Sequence, residues 1–96
     1  MNAGAAQQEA ERTVVLKNRY GLHARPATLI AQTAKPFECE ISIEKDGTTV
    51  DAKSIFGMLT LAAETGASLT LRARGRDAVA AVDTLSHVIE SFDVDD

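Results

Sequence analysis

Between Glu38 and Lys45 apolar and polar residues alternate without a break, Cys39, Ile41 and Ile43 against Glu40, Ser42 and Glu44. A period of two puts these sets on opposite faces of a strand, one for a core and one for water. Asp46-Gly47 follows at once, a pair that favours the positive φ angles of a tight hairpin turn. Thr48-Thr49-Val50 must then pair back as an antiparallel strand. A lone hairpin is barely stable in water, so the apolar side of this sheet needs a second layer.

The flanking segments supply that layer. From Ala24 to about Lys35, apolar residues recur at Ala27, Ile30, Ala31 and Ala34, one face of a helix that Pro36 ends. A last helix follows Asp77, a good N-cap residue, with Ala78, Val82, Leu85, Ile89 and Phe92 on its apolar face. Thr13 to Leu16 reads as the first strand, and Ser68 to Arg74, with Leu69 and Leu71 inward, as the fourth. A short helix is expected from near Ser54 to about Leu61. The order is β-α-β-β-α-β-α. It predicts an α+β fold of the split βαβ kind, three helices covering one face of a four-stranded antiparallel sheet. Residues 1–11, rich in Ala, Gln and Glu without apolar periodicity, are expected to be a flexible tail. The domain proper is expected over 12–92, and residues 93–96 as a solvated acidic tail.

Ninety-six residues make one domain with a modest core and no room for a buried multi-substrate pocket. A net charge of −4 argues against a nucleic-acid surface, which needs a clustered basic face. Cys39 is the only cysteine, so there is neither a disulfide framework nor a cysteine-based metal site. Its place among core-facing residues predicts a buried, inert thiol. The two histidines lack carboxylates at ligand spacing, and no metal is expected. His87 reads as a solvent-facing residue of the last helix. No apolar run reaches the length of a membrane span, and the start lacks the basic-then-apolar pattern of a secretory signal. A cytoplasmic protein is expected.

The chemistry concentrates in Gly21-Leu22-His23-Ala24-Arg25-Pro26-Ala27. Glycine permits a tight turn, and proline is acceptable only in a helix's first turn, where its missing N–H costs nothing. His23 therefore falls at or next to an N-cap, facing backbone N–H groups without partners. The positive end of a helix attracts anions, phosphate above all. Imidazole is a nucleophile that titrates near neutral pH, so a histidine here can carry a phosphoryl group as well as bind one. Arg25, two residues on, has the planar fork that suits bidentate phosphate contact. The plainer alternatives are a histidine that only caps its helix and a solvated arginine. Lys17 and Arg19 add cations nearby, favourable for acidic partners. Ser54 reads as the N-cap of the short helix, and Ile55, Phe56, Met58 and Leu59 exceed what one short helix can bury, which predicts an apolar docking patch.

The segment around His23 resembles the active-site signature of HPr, the histidine-containing phosphocarrier of the bacterial phosphoenolpyruvate-dependent phosphotransferase system. A second segment, Ala52-Lys53-Ser54-Ile55-Phe56-Gly57-Met58, resembles the regulatory-serine segment of that family. The resemblance runs from about Arg12 to about Phe92. It implies an open-faced β-sandwich, a phosphohistidine at His23 with the phosphate on Nδ1, stabilisation by Arg25 and regulatory phosphorylation at Ser54. It implies a carrier rather than an enzyme, with no cofactor, the phosphoryl group originating from phosphoenolpyruvate. The partners implied are enzyme I as donor, enzyme IIA proteins as acceptors and a serine kinase/phosphorylase; a monomer is expected. Ser54-Ile55-Phe56-Gly57 looks like the sugar-transport branch. Asn18-Arg19-Tyr20-Gly21 and Ser91-Phe92-Asp93 look like the nitrogen-related regulatory branch. Ala62-Ala63 replaces a glycine common after the short helix, so the helix is expected to continue there. From another class, a non-phosphorylated module that binds partners through the short helix stays open.

Overall fold

The computed structural model describes residues 7–95. It contains β1 (Gln8–Val15), α1 (Ala24–Ala34), β2 (Cys39–Lys45), β3 (Thr48–Asp51), α2 (Ile55–Leu59), β4 (Ser68–Gly75) and α3 (Ala78–Glu90). The four strands form one antiparallel sheet in the order β1-β4-β2-β3. This is the expected α+β open-faced sandwich. The inward strand residues Val14, Ile41, Ile43, Leu69, Leu71 and Ala73 share a buried core with helix residues Ala27, Ile30, Ala31, Met58, Ala81, Leu85 and Ile89. Alternation sent Ile41 and Ile43 inward, and Asp46 (φ 50°) and Gly47 (φ 84°) make the β2–β3 turn with both central residues left-handed.

Two boundaries differ from the sequence reading. β1 starts at Gln8, and Gln8 to Glu11 pair with Gly75 to Arg72, so residues 8–11 belong to the sheet and not to a tail. Only Ala10 of this stretch touches the core, and one apolar residue leaves no period to read. Residues 1–6 lie outside the described residues. The acidic C-terminal segment is also anchored. The Arg19 N–H donates to the Val94 carbonyl at 2.6 Å, and the Arg19 guanidinium lies 3.5 Å from Asp95. Asp77 holds the N-cap position of α3, but its carboxylate accepts from the Glu38 N–H at 3.0 Å instead of capping its own helix. Cys39 is half-buried rather than sealed in, and the partial burial holds its thiol above the ordinary value.

On the open face Arg72 bridges three strands, donating to Glu11 of β1 and to Glu44 of β2. The hydrogen bond from Arg72 holds the Glu44 carboxyl below its ordinary range. A carboxylate depressed in the folded state stabilises it above its unfolded pKa, about 4.3, and that contribution disappears as pH falls through the lower folded value. Glu44→Gln should therefore show a shallower fall in Tm than wild type when pH is lowered from 5 towards 3. Thermal unfolding at stepped pH measures the difference, which is modest for so solvated a pair.

Candidate functional site

The approach to α1 is fixed by backbone contacts with the segment after α2. Gly21 has φ +67°, and a Cβ there would sit 2.3 Å from the Ala63 carbonyl oxygen. The Leu22 N–H donates to that same oxygen at 2.9 Å. Ala62 adopts φ 51°, which reverses the chain after α2 and turns the Ala63 carbonyl towards Leu22. The helix thus stops at Leu59 instead of continuing through Ala62-Ala63. An alanine in the left-handed region is strained, and the contact with Leu22 is what the strain serves.

His23 is the N-cap of α1, with extended backbone (φ −91°, ψ −171°) and no capping bond from its side chain. Its own N–H is taken by the Gly21 carbonyl at 3.0 Å, and the first helical bond runs from the Ala27 N–H to the His23 carbonyl. Pro26 has no N–H. The helix therefore offers two uncommitted amide donors, those of Ala24 and Arg25. The imidazole is half-buried, and Nε2 is shut from solvent without a partner. Nδ1 is left as the accessible ring nitrogen. Tyr20 meets the ring edge-on, centroids 6.0 Å apart, and Arg19 in turn lies 5.9 Å from the Tyr20 ring centre. Arg25 is exposed and forms no ion pair or hydrogen bond with a described residue. Its neighbours along a small groove are Pro26, Leu29 and Phe92. An exposed nucleophile, a free guanidinium and two free amides on one helix end can accept a phosphoryl group and steady its charge.

Ser54 caps α2 as expected, its Oγ accepting from the Gly57 N–H at 2.9 Å. Ser54→Ala should cost about 1 kcal/mol, seen as a lower denaturation midpoint. The patch behind it is smaller than the sequence implied. Phe56 is 79 % exposed and Leu59 38 %, whereas Ile55 is half-buried and Met58 is wholly in the core. Met58 is therefore not a docking residue. One turn of helix must turn one side inward, and composition does not say which. The sequence reading missed Leu29, 46 % exposed on α1, and Tyr20, 62 % exposed beside His23. A single apolar residue on a polar helix face and a single aromatic in a loop give no periodic signal. Lys53 is spent internally, its Nζ donating to the Phe37 and Cys39 carbonyls. His87 is exposed on α3. Among the described residues no group of His, Cys, Asp or Glu could hold a metal ion, and no helix is long and apolar enough to cross a membrane.

Residues 10–91 match the family model described as "PTS HPr component phosphorylation site". The chain is 46% identical over 80 residues to the HPr-like protein Crh of Halalkalibacterium halodurans, covering 83% of this chain and 95% of that protein. It is 41% identical over 80 residues to the phosphocarrier protein HPr of Treponema pallidum, covering 83% and 91%. Among solved structures, the phosphocarrier protein HPr of Bacillus anthracis aligns with a TM-score of 0.80 at 42% identity, covering 84% of this chain and 96% of that one. Both the residues around His23 and the backbone that carries them lie within the matched span, and the chain belongs to the HPr family of phosphocarrier proteins of the phosphotransferase system, which are not enzymes.

Proposed function

We propose that this protein is the phosphocarrier of a sugar phosphotransferase chain. Nδ1 of His23 attacks the phosphoryl group on enzyme I. The donor's P–N bond breaks as the new P–Nδ1 bond forms, and the donor histidine keeps the released electron pair. The reverse geometry hands the group to an enzyme IIA acceptor. Transfer between two nitrogens asks for alignment and charge neutralisation more than for covalent help. Arg25 and the Ala24 and Arg25 amides supply the neutralisation, and the reading needs no cofactor. The observation that carries it is the accessible Nδ1 of His23 at the N-cap of a helix whose second residue, Arg25, carries a guanidinium with no ion pair among the described residues.

Phe56, Leu59 and Leu29 furnish the apolar contact for enzyme I and the IIA proteins, with Ile55 at its edge. Arg19, Lys17 and Arg25 favour acidic partner surfaces. A serine kinase/phosphorylase acting on Ser54 would add negative charge next to that patch and weaken such docking. We read the carrier as a cytoplasmic monomer without a nucleic-acid or membrane partner. Asn18-Arg19-Tyr20-Gly21 favours one second reading, a regulatory carrier of the nitrogen-related branch. The test is labelling from phosphoenolpyruvate through purified enzyme I of each branch, on wild type and His23→Ala. Acid-labile label that is lost in the variant supports the carrier, and the enzyme I that supplies it names the branch. An unlabelled wild type overturns both carrier readings and leaves a partner-binding module.

A further inference from the structure

Among the described residues, Asn18 is one of two polar residues buried in the core. Its Nδ2 donates to the Gly21 carbonyl at 2.7 Å. A carbonyl only accepts, so the amide nitrogen has to be the atom that faces it. The same oxygen accepts the His23 N–H at 3.0 Å, and the adjoining Leu22 N–H is held by Ala63 at 2.9 Å. The Gly21–Leu22 peptide unit is thus pinned on both edges, its oxygen by Asn18 and His23 and its N–H by Ala63. Glycine is the residue least able to hold such a plane by itself, since both of its neighbouring torsions are free. Rotation of this plane redirects the backbone that enters His23. An apolar side chain would fill the buried site with no desolvation cost, so an amide there is informative about orientation rather than packing.

We propose that Asn18 is a positioning residue for phosphoryl transfer, fixing the direction of the His23 ring through the Gly21 carbonyl. The inference rests on the phosphocarrier reading above. Asn18→Ala removes the donor and leaves a gap. Asn18→Asp keeps the shape, but at neutral pH its carboxylate can only accept, and it faces a carbonyl that also only accepts. Val82→Ala truncates a buried residue of α3, an element with no site residue, and serves as the stability control.

The experiment measures initial phosphorylation rates by enzyme I against carrier concentration, with thermal unfolding and hydrogen exchange of the His23 amide on each variant. Both Asn18 variants should lose about tenfold or more in kcat with little change in KM, as misalignment of a reacting group does. Their His23 amide should exchange faster than in wild type. Val82→Ala should lose stability and keep its rate. Wild-type kcat in Asn18→Ala and Asn18→Asp overturns the proposal, and so does a rate loss of the same size in Val82→Ala. If wild type accepts no phosphate, the carrier reading fails. The exchange data then decide the positioning alone: unchanged protection of the His23 amide in the Asn18 variants overturns it, and lost protection upholds it.

Discussion

His23→Ala should lose all acid-labile phosphorylation and almost none of its stability. The two halves of this result have separate causes. The proposed nucleophile is the ring itself, and the other described histidine, His87, is exposed on α3 rather than placed at the start of α1. Stability survives because the ring contributes little to the fold. It makes no capping hydrogen bond, and its buried Nε2 has no partner, so removing it removes an unpaired polar atom. Of ring-to-ring contacts, the edge-on one with Tyr20 is lost. The expected change in unfolding free energy is within about 1 kcal/mol, the range of a substitution that empties no core. Denaturant unfolding and phosphate labelling of the same sample check both parts. A variant that unfolds readily would show that the ring, not the backbone, holds the loop.

Gly21→Ala should do the reverse, failing first in the fold. The added Cβ would meet the Ala63 oxygen at 2.3 Å and the Glu64 Cα at 2.9 Å, both backbone atoms with no side-chain freedom to yield. The φ of +67° adds a left-handed penalty that glycine avoids. Overpacking and backbone strain together amount to about 3 kcal/mol. In a domain of this size that lowers Tm by at least about 10 °C. The strain is relieved only by moving residues 63 and 64 away, which breaks the hydrogen bond from Leu22 and releases the entry to α1. Phosphorylation should therefore fall even at temperatures where the variant is folded. A wild-type melting curve would mean that the Ala63 segment moves aside freely.

The sheet and both long helices were legible because each repeats its pattern several times. Ile41 and Ile43, or Ile30 and Ala34, each confirm the register set by the other. His23, Arg25 and Ser54 were legible for a different reason, since glycine, proline and serine mark helix starts locally. What escaped was whatever depends on a single residue or on the backbone. Met58 and Phe56 sit on one short turn, and only the packing of α2 on the core decides that Met58 is in and Phe56 out. The return of Val94 to Arg19 is a main-chain hydrogen bond and leaves no mark in side-chain type. The left-handed Ala62 is hidden because nothing about alanine announces it. Asn18 was visible only as a branch marker. An asparagine three residues before a glycine is a turn signal, but its burial is a property of the folded chain.

Pro26 does more than start a helix. A phosphoryl group on His23 has three peripheral oxygens, while α1 presents two amide hydrogens, the third being absent from the proline ring. The helix amides alone leave one oxygen to the Arg25 guanidinium, to water or to a docked protein. Each further fixed donor would lower the energy of the loaded state and make unloading harder. With the helix one amide short, a phosphoryl group on His23 would keep more of its transfer potential, and the remaining contact would fall to the exposed Arg25 side chain or to a docked partner.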